Sequence, residues 1–403
     1  MAKVLVLDGH SAAALAFTRS LGRAGHWVAV GANRGIFAAA ALSRYCRSKF
    51  EYVPSTESMS AFVEAVLSFV AKHSIEVVFP ITDWTIVPLS ADRERFPNNC
   101  RVVLPPHSAI EVAGDKYRTI ELARSLGIPT PRTWLIQSAG DLSALPELKF
   151  PIVVKDRSSV RWSGDRAVFG SVSYAYSLPD LAARVDRRLQ EAGDVLVQEF
   201  VAGIGVGFSG FTNGTEVRLP FQWKRLREVD PRGSGSSLRE AVALDSDIRD
   251  FSTTLILSTG FQGIAMVEFK EVRSEKPVLM EINGRPWGSI QLPIAAGIDY
   301  PRFLIDWVLE GTLPPSTVNY RAGIQCRRVV GDLQHLQNLR RGTPPEWPVA
   351  YPNFWTSLAK MALPWYPGLR YDDLSLTDPK PGWSGLSHWF RTRLHKKERT
   401  TGH

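Results

Sequence analysis

The sequence predicts an α/β protein with more than one domain, a parallel sheet first and an α+β region after it. Three observations carry this. The chain has 403 residues, more than one ordinary core accommodates. Its first 110 or so residues alternate short apolar runs with amphipathic stretches, the pattern of a parallel sheet covered by helices. From Ala113 onward, paired strands with a tight hairpin signal replace that alternation.

In order, Lys3–Asp8 reads as a buried strand, and Ser11–Gly25 as a helix with a Ser cap and a Gly stop. Trp27–Gly31, Glu76–Pro80 and Val102–Leu104 read as further strands, with Ala61–His73 an amphipathic helix between them. The first turn, Asp8-Gly9-His10-Ser11, lacks the GxGxxG dinucleotide fingerprint. Ile81-Thr82-Asp83 follows a strand, where open sheets place ligand contacts and where a polar loop cap is equally expected.

Asp115–Leu126 reads as a helix ended by Gly127-Ile128-Pro129. Thr133–Ile136 and Ile152–Lys155 are predicted strands, Leu178–Ala192 a helix, and Val195–Phe200 a strand. Phe208–Phe211 and Glu216–Trp223 pair through Asn213-Gly214, and the helix Ser246–Thr259 precedes strands Gly263–Val272 and Pro277–Asn283, joined by a Ser274-Glu275-Lys276 turn. Ala322–Val330 reads as a strand and Gly331–Arg341 as a helix, and residues 342–385, rich in Pro and Trp, as an extended arm or lid.

Composition narrows the function classes. Cys46, Cys100 and Cys326 are far apart, without a CxxC or Cys/His cluster, which argues against a disulfide framework or zinc site and for a reducing, cytoplasmic setting. The N-terminus has no signal-peptide pattern, and no apolar run is long enough for a transmembrane segment. The net charge of +8 gathers partly at the C-terminus, where Arg391, Arg393, Lys396, Lys397 and Arg399 face only Glu398. That tail reads as a solvated end or as a weak contact for anionic surfaces; elsewhere the basic residues are scattered among acids, against a nucleic-acid partner.

The chemistry concentrates in Met266-Val-Glu-Phe-Lys and Val278-Leu-Met-Glu-Ile-Asn-Gly-Arg. Each strand carries a carboxylate among large apolar residues. Strict alternation sets Met266, Glu268 and Lys270 on one face of the first strand. On the second it sets Leu279, Glu281, Asn283 and Arg285 on one face, with Met280 and Ile282 on the other. Two carboxylates and an amide oxygen suit Mg2+ bridging nucleotide phosphates; the plainer alternative is edge carboxylates neutralised by Lys270 and Arg285. Lys155 ends a wholly apolar strand, where a solvated role fits poorly, whereas Lys116 also reads as a surface lysine. Residues 156–170, with Ser158, Ser159, Ser163, Gly164 and Gly170, read as a flexible phosphate-covering loop. Lys224, Arg225 and Arg227, followed by Gly233-Ser-Gly-Ser-Ser237, offer cations and backbone N–H groups to anions, or form a basic surface loop.

The run Glu-…-Glu-Ile-Asn-Gly-Arg, continuing into Pro286-Trp-Gly-Ser289, resembles the metal-binding signature of the ATP-grasp superfamily, especially its predicted carboxylate–amine ligases. The resemblance spans roughly Asp115 to Phe303. It implies a Rossmann-like preATP-grasp domain over 1–112 and a two-lobed ATP-grasp domain over 113–312, divided near residue 200, with 313–403 as a C-terminal extension. It implies ATP and Mg2+, with Mn2+ as an alternative ion, and small-molecule carboxylate and amine substrates. A homo-oligomer is compatible with it.

Residue by residue, it makes Lys116 and Lys155 nucleotide-phosphate lysines, and Gln198, Glu199, Phe200 and Val201 the adenine-contacting hinge. Glu268, Glu281 and Asn283 become the metal ligands and Arg285 the phosphoryl stabiliser, while Lys224 and Arg225 face the acyl group. Gly205 departs from the family pattern, standing where an acid commonly holds the ribose. The expected activity is ATP-dependent carboxylate–amine ligation; the alternatives are carboxyphosphate or carbamoyl-phosphate chemistry and a nucleotide-binding regulatory module without turnover.

Overall fold

The computed structural model describes residues 1–158, 160–163, 166–273 and 275–400, so that Ser159, Gly164 and Ser274 lie outside the described residues. The strands β1 (Lys3–Val6), β2 (Trp27–Asn33), β3 (Cys46–Tyr52), β4 (Val77–Phe79) and β5 (Arg101–Val102) form a parallel sheet in the order β3-β2-β1-β4-β5. Side-chain alternation explains why β1 is apolar after Lys3: Val4 and Val6 pack with Phe17 on one face, Leu5 and the following Leu7 with Phe62 and Val66 on the other. The helices supplying these partners are α1 (Ala12–Arg23) and α2 (Met59–His73). The predicted Ser11 cap forms, its hydroxyl accepting from Ala14 N–H at 3.1 Å. The sequence reading missed β3, an edge strand whose Arg47, Lys49 and Glu51 face solvent. It also missed α3 (Asp83–Ala91) and α4 (His107–Gly114).

After α5 (Lys116–Ser125), strands β6 (Thr133–Ile136) and β7 (Ile152–Lys155) begin a second sheet. Residues 156–170 differ from the expected loop: β8 (Val160–Ser163) and β9 (Arg166–Phe169) pair as an antiparallel hairpin. Its base is fastened to α5 by an Asp115–Ser158 bridge and by Arg157, 2.7 Å from Asp115. β10 (Val172–Ala175), the helix α6 (Leu178–Ala192) and β11 (Val195–Glu199) complete this part, an antiparallel sheet in the order β10-β7-β11-β6.

The third sheet has seven strands. They are β12 (Ile204–Thr212), β13 (Val217–Glu228), β14 (Ser236–Val242), β15 (Gly263–Glu271), β16 (Val278–Asn283), β17 (Gln325–Arg327) and β18 (Leu369–Tyr371), in the order β16-β15-β12-β13-β14-β17-β18. All neighbours are antiparallel except β17 and β18, which run parallel. Helix α7 (Ser246–Ser258) covers one face; α8 (Gln291–Ala296) and α9 (Tyr300–Glu310) pack between the other face and α1, so Phe211, Phe221 and Trp287 share one core with Phe17.

Residues 342–385 differ from the expected arm. After α10 (Val329–Arg340) they contain α11 (Phe354–Ala362), β18 and the start of α12 (Lys380–Thr400). Buried Arg19 of α1 fixes this region: its Nε lies 2.9 Å from Asp378 Oδ2, which also accepts from Ser43 Oγ at 2.7 Å. Among the described residues, no helix is long and apolar enough to cross a membrane.

Candidate active site

The pairing of β15 with β16 brings Glu268 directly opposite Glu281, and Met266 opposite Asn283. Strict alternation does not survive there. A bulge follows Glu268, whose next partner pair is Phe269–Leu279, leaving Met280 as the extra residue. Leu279 therefore turns into the core with Val267, Phe269 and Ile282, while Met280 joins Glu281 on the cavity side. This corrects the expected row of Leu279, Glu281, Asn283 and Arg285.

Like charges facing across an antiparallel pair repel. Burial pushes the Glu268 carboxyl up, Glu281 adds to the effect, and Arg225 opposes it. Glu281 has the opposite balance. Burial works against its charge, but the Asn283 amide (3.0 Å), Lys116, Arg285 and Lys155 together hold its carboxyl low.

Three cavities meet at these carboxylates. The first, of about 460 Å³, lies between the four-stranded and seven-stranded sheets. It gathers Lys116, Lys155, Gln198, Glu199, Phe200 and Val201 around Glu268 and Glu281. A second, of about 520 Å³, opens beyond Arg225 and Glu268. A small third, of about 70 Å³, contains Asn283, Arg285 and Asp83 beside Lys116 and Glu281.

In the first cavity, Lys155 Nζ donates to Gln198 Oε1 at 2.8 Å, and Gln198 Nε2 to Thr133 Oγ1 at 2.7 Å. Burial and the nearby Lys116 push Lys155 down to about 8, despite Glu281. Burial also lowers Lys116, against the pull of Glu281, Asp83, Asp156 and Asp115. The Glu199 carboxylate is held by Arg132 at 3.3 Å.

Arg225 is fixed between three acceptors. It bonds Glu268 through Nη2, and Glu228 at 3.1 Å and the Ser234 carbonyl at 2.7 Å through Nη1. Lys224 differs from expectation: it lies on the opposite face of β13 from Trp223 and Arg225 and lines none of the three cavities. The departure at residue 205 has a steric cause. A Cβ on Gly205 would come within 2.6 Å of Arg225 Cδ, and one on Gly207 within 2.3 Å of the Trp223 ring. The two glycines of β12 make room for the side chains β13 sends to the site.

Arg285 reaches back to the first sheet, its Nε donating to Asp83 Oδ2 at 2.8 Å. Buried Asp8, with φ of 56°, in turn accepts from Thr82 N–H at 2.8 Å and from Thr85 Oγ1 at 2.7 Å, setting the start of α3. The sequence weighed Asp83 as a contact without finding its partner, 202 positions away.

Trp347 was missed altogether. It is 6% exposed and lines the first cavity. Its ring meets Tyr174 (4.7 Å) and Phe200 (4.9 Å) edge-on. The Tyr174 hydroxyl donates to the Arg232 carbonyl at 2.8 Å, tying the same cluster to the glycine-rich loop before β14. No local signal separates Trp347 from the neighbouring Pro- and Trp-rich residues.

The donor set fits Mg2+. Among the described residues no three His, Cys, Asp or Glu side chains converge; two facing carboxylates and an amide would supply part of the oxygen shell that a hard divalent cation takes.

A parallel-sheet domain feeding two antiparallel sheets, with acids and lysines gathered between them, is the fold of the ATP-grasp enzymes, which this chain resembles in part of its sequence as well. Residues 222–331 match the family described as "ATP-grasp in the biosynthetic pathway with Ter operon". The chain is 27% identical over 207 residues to the carbamoyl phosphate synthase large chain of Rubrobacter xylanophilus, covering 49% of this chain and 19% of that one. It is 26% identical over 230 residues to the D-alanine–D-alanine ligase of Desulforamulus reducens, covering 50% and 71%. The L-amino acid ligase structure from Bacillus licheniformis superposes with a TM-score of 0.59 at 15% identity, over 77% of this chain and 74% of that one. The chain spans about a fifth of the length of the carbamoyl phosphate synthase chains it matches.

Proposed function

We propose that this chain is an ATP- and Mg2+-dependent ligase that activates a carboxylate as an acyl phosphate and joins it to an amine. The observation that carries the reading is the facing pair Glu268 and Glu281, placed where the two larger cavities and the small third one meet and ringed by Lys116, Lys155, Arg225 and Arg285. One larger cavity suits the nucleotide, with Lys116 and Lys155 as phosphate contacts and residues 198–201 along the base. The other suits the acid and the amine.

A carboxylate oxygen attacks the γ-phosphorus, the bond to the bridging oxygen breaks and ADP leaves. The amine nitrogen then attacks the acyl carbon, loses a proton and expels phosphate. Mg2+, when bound at Glu268, Glu281 and Asn283, supplies charge neutralisation to the transferring phosphoryl group. Arg285, held by Asp83, presents a planar fork to the same oxygens, and Arg225 turns toward the acyl side. The D-alanine–D-alanine ligase, matched over 71% of its length against 19% for the carbamoyl phosphate synthase chain, supports this reading over carboxyphosphate chemistry.

Glu281→Gln tests it. The variant should fold normally and lose Mg2+-dependent ADP release by about a hundredfold or more, as loss of a preorganised charge stabiliser does. A folded variant with wild-type turnover would remove Glu281 from the metal site.

A further inference from the structure

The cavity beyond Arg225 has a wall that the ligase chemistry alone leaves unused. That wall comes from the C-terminal part of the chain, through Arg328, Asp373, His388 and Trp389. Two of the cavity's arginines are already occupied, Arg225 by Glu268 and Glu228, and Arg239 by Asp372. Arg328 and Asp373 are not. Among the described residues the Arg328 guanidinium makes no hydrogen bond or ion pair, and the Asp373 carboxylate accepts only from backbone N–H groups, that of Leu374 at 3.0 Å and its own. Burial and Asp372 push the Asp373 carboxyl up while Arg328 draws it down, so each charge lies within the other's field without closing a pair.

Their backbones are fixed. Arg327 and Tyr371 are register partners in the parallel pair β17–β18, so Arg328 and Asp373 leave adjacent strand ends. Arg328 N–H donates to the Ser237 carbonyl at 2.8 Å, and Arg19 Nη2 donates to the Asp373 carbonyl at 2.9 Å. Around them the lining is aromatic: buried Trp287, Trp389, and Phe37 stacked on His388 with ring centres 4.6 Å apart.

We propose that this cavity takes an α-amino acid with a large apolar or aromatic side chain, its carboxylate on Arg328, its ammonium on Asp373 and its side chain among Phe37, Trp287 and Trp389. Exposed Arg328 and half-buried Asp373 on one wall are both neutralised by a ligand carrying the two complementary charges. A plain carboxylate leaves Asp373 facing an anion, and a plain amine leaves Arg328 without a partner. At about 520 Å³ the space is of the size that small-molecule sites occupy. The amino acid's role as a substrate rests on the ligase reading; its binding does not.

Calorimetry on the full chain separates the two. L-Phenylalanine, L-leucine, 3-phenylpropionate and phenethylamine are titrated into wild type, Asp373→Asn and Arg328→Gln, each sample also being titrated with ATP and Mg2+. L-Phenylalanine should bind wild type at least tenfold more tightly than either analogue. Asp373→Asn should remove the preference over 3-phenylpropionate, and Arg328→Gln the preference over phenethylamine, with ATP binding unchanged in both. An analogue that binds as well as L-phenylalanine, variants that keep both preferences, or no binding by either L-phenylalanine or L-leucine overturns the proposal. Failure of wild type to bind ATP sinks the ligase reading instead, and the amino-acid titrations still decide the cavity.

Discussion

Lys155 sits at the end of an apolar strand with its ammonium against Gln198 and near Lys116. Its ordinary value is 10.5 and burial brings it to about 8, so the amine loses its proton inside an accessible range. Phosphate needs the charged form. ATP affinity should therefore be flat below about pH 8 and fall above it, by up to about tenfold per unit until the bound state titrates. Calorimetry from pH 7 to pH 9.5 reads this directly. Lys155→Met should bind weakly at every pH, and a wild-type profile as flat as the variant's would remove Lys155 from the phosphates. That Lys155 ends a buried strand was legible in the sequence, because the run Ile152-Val-Val before it is wholly apolar. The same holds for the placement of Glu268 and Glu281 on apolar strands. Met280 facing the cavity was not legible. A bulge belongs to the pairing of two strands, and period-two alternation within one strand carries no trace of it.

Among the elements, β12 and β13 act as a matched pair. Gly205 and Gly207 on one strand leave space that Arg225 and Trp223 of the other fill. Gly205→Ala should push Arg225 away from Glu268, destabilising the chain by about 1–3 kcal/mol, the usual range for overpacking, and lowering turnover with it. Urea denaturation and steady-state rates on one preparation check both; unchanged stability would mean that Arg225 has room to move. From the sequence, Gly205 reads as a missing acid. Its reason lies on the neighbouring strand, where single-strand reading does not reach. Helices with clear caps, such as α1 and α6, and the Asn213-Gly214 hairpin were legible because their signals are local. The β8–β9 hairpin was not: its serines and glycines are loop residues by composition, and its pairing is anchored by the distant Asp115.

Across the whole molecule, the region after β18 is joined to α1 by a buried ion pair. Arg19 and Asp378 are 4% and 2% exposed. Asp378→Ala would leave Arg19 buried with its main counter-charge gone, a loss of about 3–5 kcal/mol. Differential scanning calorimetry should show a marked drop in Tm, and a change within error would make the pair dispensable. The Pro- and Trp-rich region was illegible for this reason: contacts with α1 order it, and its own periodicity does not. The parallel pairing of β17 with β18 has a consequence for how the chain assembles. Every other neighbour in the seven-stranded sheet is antiparallel, yet β18 waits on the long connection between residues 327 and 369. Closing such a loop carries an entropic penalty that local hairpins avoid. During synthesis β17 is the open rim of the sheet until that stretch has left the ribosome, and an open rim is where newly made chains stick to one another. Asp373 arrives two residues after β18. The event that covers the rim therefore also finishes the second cavity, and a chain halted before it would have the first cavity, an exposed edge and no far wall to the second.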